Sequence, residues 1–134
     1  MLLQKAEVLP LRSDEDVVRV RHAARDKAAK LGFSLIDQTK LVTAASELAR
    51  NTVLHGGGGS ATLETVTQGT RLGIRMSFED QGPGIADLEL AMRDGYTTKK
   101  GLGLGLSGSK RLMNEFEIRT APGAGTKVCV TRWK

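Results

Sequence analysis

Aromatic side chains are scarce in this chain: three Phe, one Trp and one Tyr make up 4% of 134 residues. Proteins that hold nucleic acid by stacking bases need aromatic platforms, and few are present. Lys and Arg number 20 against 15 Asp and Glu, a formal charge of +5, but they are scattered and form no stripe or cluster of the kind a nucleic-acid footprint shows. A basic balance of this sort suits an anionic ligand or an acidic partner. Cysteine occurs once, at Cys129, which excludes an intrachain disulfide and a cysteine zinc site. Set between Val128 and Val130, it reads as a structural thiol in a reducing compartment. No apolar run approaches the roughly 18 residues of a membrane span. Met1-Leu2-Leu3 gives way at once to Gln4-Lys5, too short a run for a signal peptide, so a cytoplasmic location is expected.

What is there is ordinary in bulk and specific in detail. Hydrophobic residues at 40% and charged residues at 26% fit a globular domain, and the length fits one domain over 1–134. A strand is expected over about 6–11. Ser13-Asp14-Glu15-Asp16 then carries a capping-box signal, a serine followed three residues later by an acid. Val17, Val20, Ala24, Ala28 and Leu31 recur at helical spacing before Gly32. Ser34-Leu35-Ile36-Asp37 repeats the capping pattern and opens a second helix, which the glycines at 56–59 end near Leu54. Two strands are expected over about 60–68 and 71–79, joined at Gly69-Thr70. In the second, Leu72, Ile74, Met76 and Phe78 alternate with Arg71, Gly73, Arg75 and Ser77. A short helix near 87–92, a glycine loop, a helix over about 104–115 and a hairpin of 117–120 with 126–133 complete the chain. The order predicts an α/β (α+β) two-layer sandwich, a mostly antiparallel mixed sheet with helices on one face.

Chemistry is concentrated in three short segments. On the second helix Leu41, Ala45, Leu48 and Thr52 form the stripe expected to face the sheet. At about 100° per residue, Glu47 and Asn51 fall together beside that stripe, with His55 one turn further. A carboxylate there is expected to be partly desolvated and suits a general base. Asn51 offers a neutral oxygen that Mg²⁺ accepts alongside waters and phosphate oxygens. Alone, the pair also reads as a solvated helix face. Asp80 continues the inward phase of Leu72 to Phe78, and a carboxylate aimed inward needs a partner, such as the exocyclic amine of adenine. Gly82 and Gly84 would let the backbone approach a ring closely, though Asp80-Gln81-Gly82-Pro83-Gly84-Ile85 is also rich in turn formers. Gly101, Gly103 and Gly105 precede a helix whose N-terminus can hold phosphate, or form a flexible loop. They match neither the Gly-x-x-x-x-Gly-Lys-Ser/Thr loop nor a dinucleotide fingerprint. Thr126 shares the inward phase of Val128 and Val130, or simply opens a strand. His22 reads as a surface histidine, and Lys99 and Lys100 either approach phosphate or form a solvated basic tip.

In this order the segments resemble the GHKL ATPase/kinase superfamily of gyrase, Hsp90, histidine kinases and MutL, which shares the Bergerat nucleotide fold. Glu47 and Asn51 match its N box. Asp80, Gly82 and Gly84, followed by Ile85, match its first glycine box, Gly101, Gly103 and Gly105 its second, and Thr126 the threonine of a late strand. The resemblance covers nearly the whole chain. It implies ATP with Mg²⁺, with Glu47 as base, Asn51 on the metal and Asp80 on adenine. Ser46-Glu47-Leu48-Ala49-Arg50-Asn51, Glu79 to Ile85, and Lys110-Arg111-Leu112-Met113 before Glu115-Phe116 are similar to the stressosome switch kinases, small serine/threonine kinases of sigma-factor control. The likeness implies phosphorylation of STAS-domain antagonist or scaffold proteins and, on release, activation of a PP2C-type phosphatase. His55-Gly56 is similar instead to the histidine kinases and to the anti-sigma kinases, which bind a sigma factor directly. The implied alternative is an anti-sigma factor that sequesters its sigma factor, with nucleotide mainly structural.

Overall fold

Strand alternation and helical apolar spacing combine into two layers in the computed structural model, which describes residues 2–93 and 105–134. In chain order the elements are β1 (Leu2–Leu11), α1 (Asp14–Lys30), α2 (Leu35–Leu54), β2 (Gly59–Gln68), β3 (Arg71–Asp80), α3 (Leu88–Ala91), α4 (Leu106–Leu112), β4 (Glu115–Thr120) and β5 (Thr126–Trp133). The strands form a five-stranded sheet in the order β1-β2-β3-β5-β4. A mostly antiparallel mixed sheet was expected, and every pairing among the described strands is antiparallel. The reason lies in the connection from β1 to β2. One helix would bring the chain back parallel, whereas two successive helices, α1 and α2, reverse it once more.

Apolar side chains from the inward phase of the strands meet one stripe of each long helix. Ala61 and Leu63 of β2, Ile74, Met76 and Phe78 of β3, and Val128 and Val130 of β5 pack into one core with Val20 and Ala24 of α1 and Leu41, Ala45 and Leu48 of α2. The stripe expected to face the sheet from α2 is buried throughout, Thr52 included. The opposite face carries polar contacts, among them the Arg75–Glu64 pair at 3.3 Å. Cys129 is half-buried there, with Ser77 Oγ 3.5 Å from its sulfur. His22 is exposed on α1.

Two local expectations are revised. Ser13 is the N-cap of α1, but its side chain makes no capping bond. Asp16 does not close the box on Ser13 N–H either: Arg12 N–H, one residue earlier, donates to its Oδ2 at 2.8 Å, while its Oδ1 accepts from Arg19 at 2.8 Å. Ser34 does cap α2, accepting from Asp37 N–H at 3.1 Å. The second revision concerns α4, which stops at Leu112, so that Glu115 and Phe116 open a strand. Met113 is already extended (φ −113°, ψ 155°). Asn114 then stitches the chain to β5, donating to the Thr131 carbonyl at 2.9 Å and accepting from Trp133 N–H at 2.6 Å.

Candidate functional site

Sheet register assembles one side of the site. Asp80 pairs across the sheet with Gly59 on one flank and Thr126 on the other, and Thr126 pairs in turn with Thr120. Directly opposed residues share a face, so Asp80, Thr126 and Thr120 stand in a row at the end of the sheet below the C-terminal half of α2.

Asn51, Asp80, Gly84, Ile85 and Thr126 line one pocket, about 450 Å³ when counted to its open mouth. The apolar lining comes from Leu48, Phe78, Leu106 and Val128, and His55 and Gly56 complete it from the end of α2. Apolar walls with a few convergent polar groups suit a flat, edge-polar ring.

Asp80 is buried, and its inward phase and its turn character prove compatible. Its Oδ1 accepts from Gly82 N–H at 2.9 Å, closing a turn, while the rest of the carboxylate packs against Gly56. A Cβ at Gly56 would overlap that carboxylate, and one at Gly82 would lie 2.6 Å from the Gly56 carbonyl oxygen. Two glycines therefore let three segments close on one acid. The turn itself is pinned to the β4–β5 hairpin, with Gly123 N–H donating to the Pro83 carbonyl at 2.7 Å.

Thr120 was not singled out by its sequence, yet it organises this wall. Its hydroxyl oxygen accepts from Ile85 N–H at 2.8 Å, and its proton reaches the Gly125 carbonyl at 3.1 Å. Thr126 Oγ1 lies 2.9 Å away. With the Thr120 proton given to Gly125, Thr126 donates to Thr120 and keeps its lone pairs for the pocket. Thr120→Val leaves Ile85 N–H without its acceptor and is expected to cost about 1–3 kcal/mol of stability. Thr120→Ser should retain most of it. Urea midpoints at constant slope check this, and a Val variant as stable as the wild type would refute the clamp.

Glu47 lies outside the pocket lining, above it on α2. Its side chain is 37% exposed, partly covered as expected, and Oε1 pairs with Arg50 at 3.1 Å on the open side. Oε2 faces Gly105, where a Cβ would lie 2.6 Å away. Gly105 is the N-cap of α4 with φ +63°, a left-handed conformation that favours glycine. Gly101, Gly103, Lys99 and Lys100 lie outside the described residues. Among the described residues no cluster of three or more His, Cys, Asp or Glu is poised for a metal, and no helix is long and apolar enough to cross a membrane.

Residues 36–134 match the family described as histidine kinase-, DNA gyrase B- and HSP90-like ATPase. The serine/threonine-protein kinase RsbT of Bacillus subtilis (strain 168) is 44% identical over 118 residues, 88% of this chain and 89% of that protein. An anti-sigma F factor of Thermoanaerobacter sp. (strain X514) is 31% identical over 112 residues, 79% of this chain and 77% of that protein. The fold alone is shared with the crystal structure of RsbU and RsbW domains from Mycobacterium tuberculosis, at a TM-score of 0.63 and 19% identity, covering 98% of this chain and 33% of that one. With the family matched over most of its length, this chain belongs to the histidine kinase-, DNA gyrase B- and HSP90-like ATPases, among their small serine/threonine-protein kinases.

Proposed function

We propose that the protein is a cytoplasmic, Mg-ATP-dependent serine/threonine kinase, one domain over 1–134, that switches between protein partners. The observation that carries this reading is the convergence of Asn51, Asp80, Gly84, Ile85 and Thr126, far apart in sequence, on one pocket. In that reading Asp80 accepts from the adenine amine, Gly82 and Gly84 give the ring room, and Thr126 offers its oxygen to the base edge. Asn51 is the oxygen donor for Mg²⁺. An amide oxygen suits an ion that keeps its waters and shares the phosphates. When bound, the ion neutralises charge on the transferred phosphoryl group. Gly105, with Gly101 and Gly103, provides backbone N–H groups for the phosphates. Glu47, above the pocket and against Gly105, accepts the proton of the incoming hydroxyl.

STAS-domain antagonist or scaffold proteins are the proposed acceptors, and a PP2C-type phosphatase the proposed partner of the released kinase. A pull-down from native cytosol with and without Mg-ATP, read by phosphopeptide mass spectrometry, tests this. Phosphoserine or phosphothreonine on a captured STAS protein is the expected outcome. Capture of an unmodified sigma factor would favour the second reading, an anti-sigma factor, for which His55-Gly56 and the anti-sigma F relatives speak.

A further inference from the structure

Besides its buried stripe, α2 carries a second one. Lys40, Thr43, Glu47, Arg50 and Leu54 follow at steps of three and four residues and so share one side of the helix. Thr43 and Leu54 are exposed. Glu47 stands mid-stripe with its two oxygens facing different ways, Oε2 toward Gly105 and Oε1 toward Arg50. One oxygen thus looks to Gly105, and the other is held from the solvent side, where an acceptor protein must arrive. The Arg50 side chain is 43% exposed. A pair this open is held weakly enough for a better anion to displace it. The guanidinium fork matches a carboxylate bidentately, whereas here a single nitrogen meets Glu47.

We propose that Arg50 is an acceptor-specificity residue: it holds Glu47 in the free enzyme and releases it when an acidic side chain of the docking protein takes the guanidinium. The inference rests on Glu47 as the proton acceptor. Once released, Glu47 takes the proton of the acceptor hydroxyl as that oxygen bonds to the γ-phosphorus. The bond from the γ-phosphorus to the β–γ bridging oxygen breaks, and ADP leaves with that electron pair. Before docking, a water near the phosphate meets a base already engaged, and ATP is conserved.

Phosphate release from Mg-ATP by the full chain, without any partner, is the first measurement. Arg50→Ala is expected to raise release several-fold, Arg50→Lys less because the charge remains, and Glu47→Gln added to Arg50→Ala to return it to background. Calorimetry with a non-hydrolysable ATP analogue should give the same affinity for all of them. Unchanged or slower release in Arg50→Ala, or weaker analogue binding, overturns the proposal and leaves the nucleotide reading standing. A wild-type chain that binds no analogue overturns both. A set of serine peptides with one Asp at each flanking position supplies the second measurement. At least one should accept phosphate faster than its Asn counterpart, and Arg50→Ala should erase the difference. Equal rates throughout overturn the specificity role.

Discussion

Glu47→Ala is expected to slow phosphotransfer to the captured partner by roughly 10²–10⁴, the range general-base catalysis supplies, while ATP affinity stays within a few-fold. The separation follows from placement. Glu47 sits above the pocket and is not part of its lining, so its loss removes a proton acceptor without opening the nucleotide site. Nor does folding suffer much. Alanine is the best helix former, and the substitution gives up a solvent-facing pair with Arg50 that is worth about 0.2–0.5 kcal/mol at this spacing. Single-turnover transfer of labelled γ-phosphate, beside calorimetry with ATP, checks both halves. Glu47→Gln keeps the shape and cannot take the proton, so it should be as slow as Ala. Parallel loss of transfer and binding would take the base role from Glu47.

Much of this site was legible because periodicity states direction. The 3.6-residue stripe on α2 placed Leu41, Ala45, Leu48 and Thr52 inward, and strand parity did the same for Asp80 and Thr126. What parity cannot give is depth or register. Glu47 lay on the right side of α2, yet its exposure depends on what other parts of the chain pack over it, a tertiary quantity. Thr120 has the same inward phase as Phe116 and Ile118, but its meeting with Ile85 and Thr126 needs the β4–β5 register and the docked turn at 82–84. The C-terminus of α4 failed for a different reason. Leu112, Met113 and Phe116 fit a helical spacing, while Phe116 and Ile118 fit strand alternation equally well, and the side chain of Asn114 decides between them. Arg50 was readable as an i, i+3 partner of Glu47, a spacing so common on helix surfaces that it stood out only once the carboxylate's other oxygen was seen against Gly105.

Asp80→Asn is expected to weaken ATP binding by about 1–3 kcal/mol, on the order of 5- to 150-fold, because neither orientation of the amide serves both of its neighbours. With its oxygen on Gly82 N–H, where Asp80 Oδ1 now accepts at 2.9 Å, the amide nitrogen faces the adenine amine and two donors oppose each other. Flipped, the oxygen reaches adenine but the nitrogen faces Gly82 N–H and the turn loses its closure. An aspartate has acceptors on both sides and meets neither conflict. The substitution changes almost no volume, so the tight approach of Gly56 to this side chain is preserved and the effect is electrostatic. Guanine carries a carbonyl oxygen where adenine carries its amine, which makes GTP the discriminating ligand. The wild-type chain should reject GTP strongly, since a carboxylate would face that oxygen, whereas the asparagine variant can turn its nitrogen to it. Calorimetric affinities for both nucleotides should therefore show the ATP-over-GTP preference narrowing in the variant. An unchanged ratio would mean that Asp80 closes the turn at Gly82 and does not read the base.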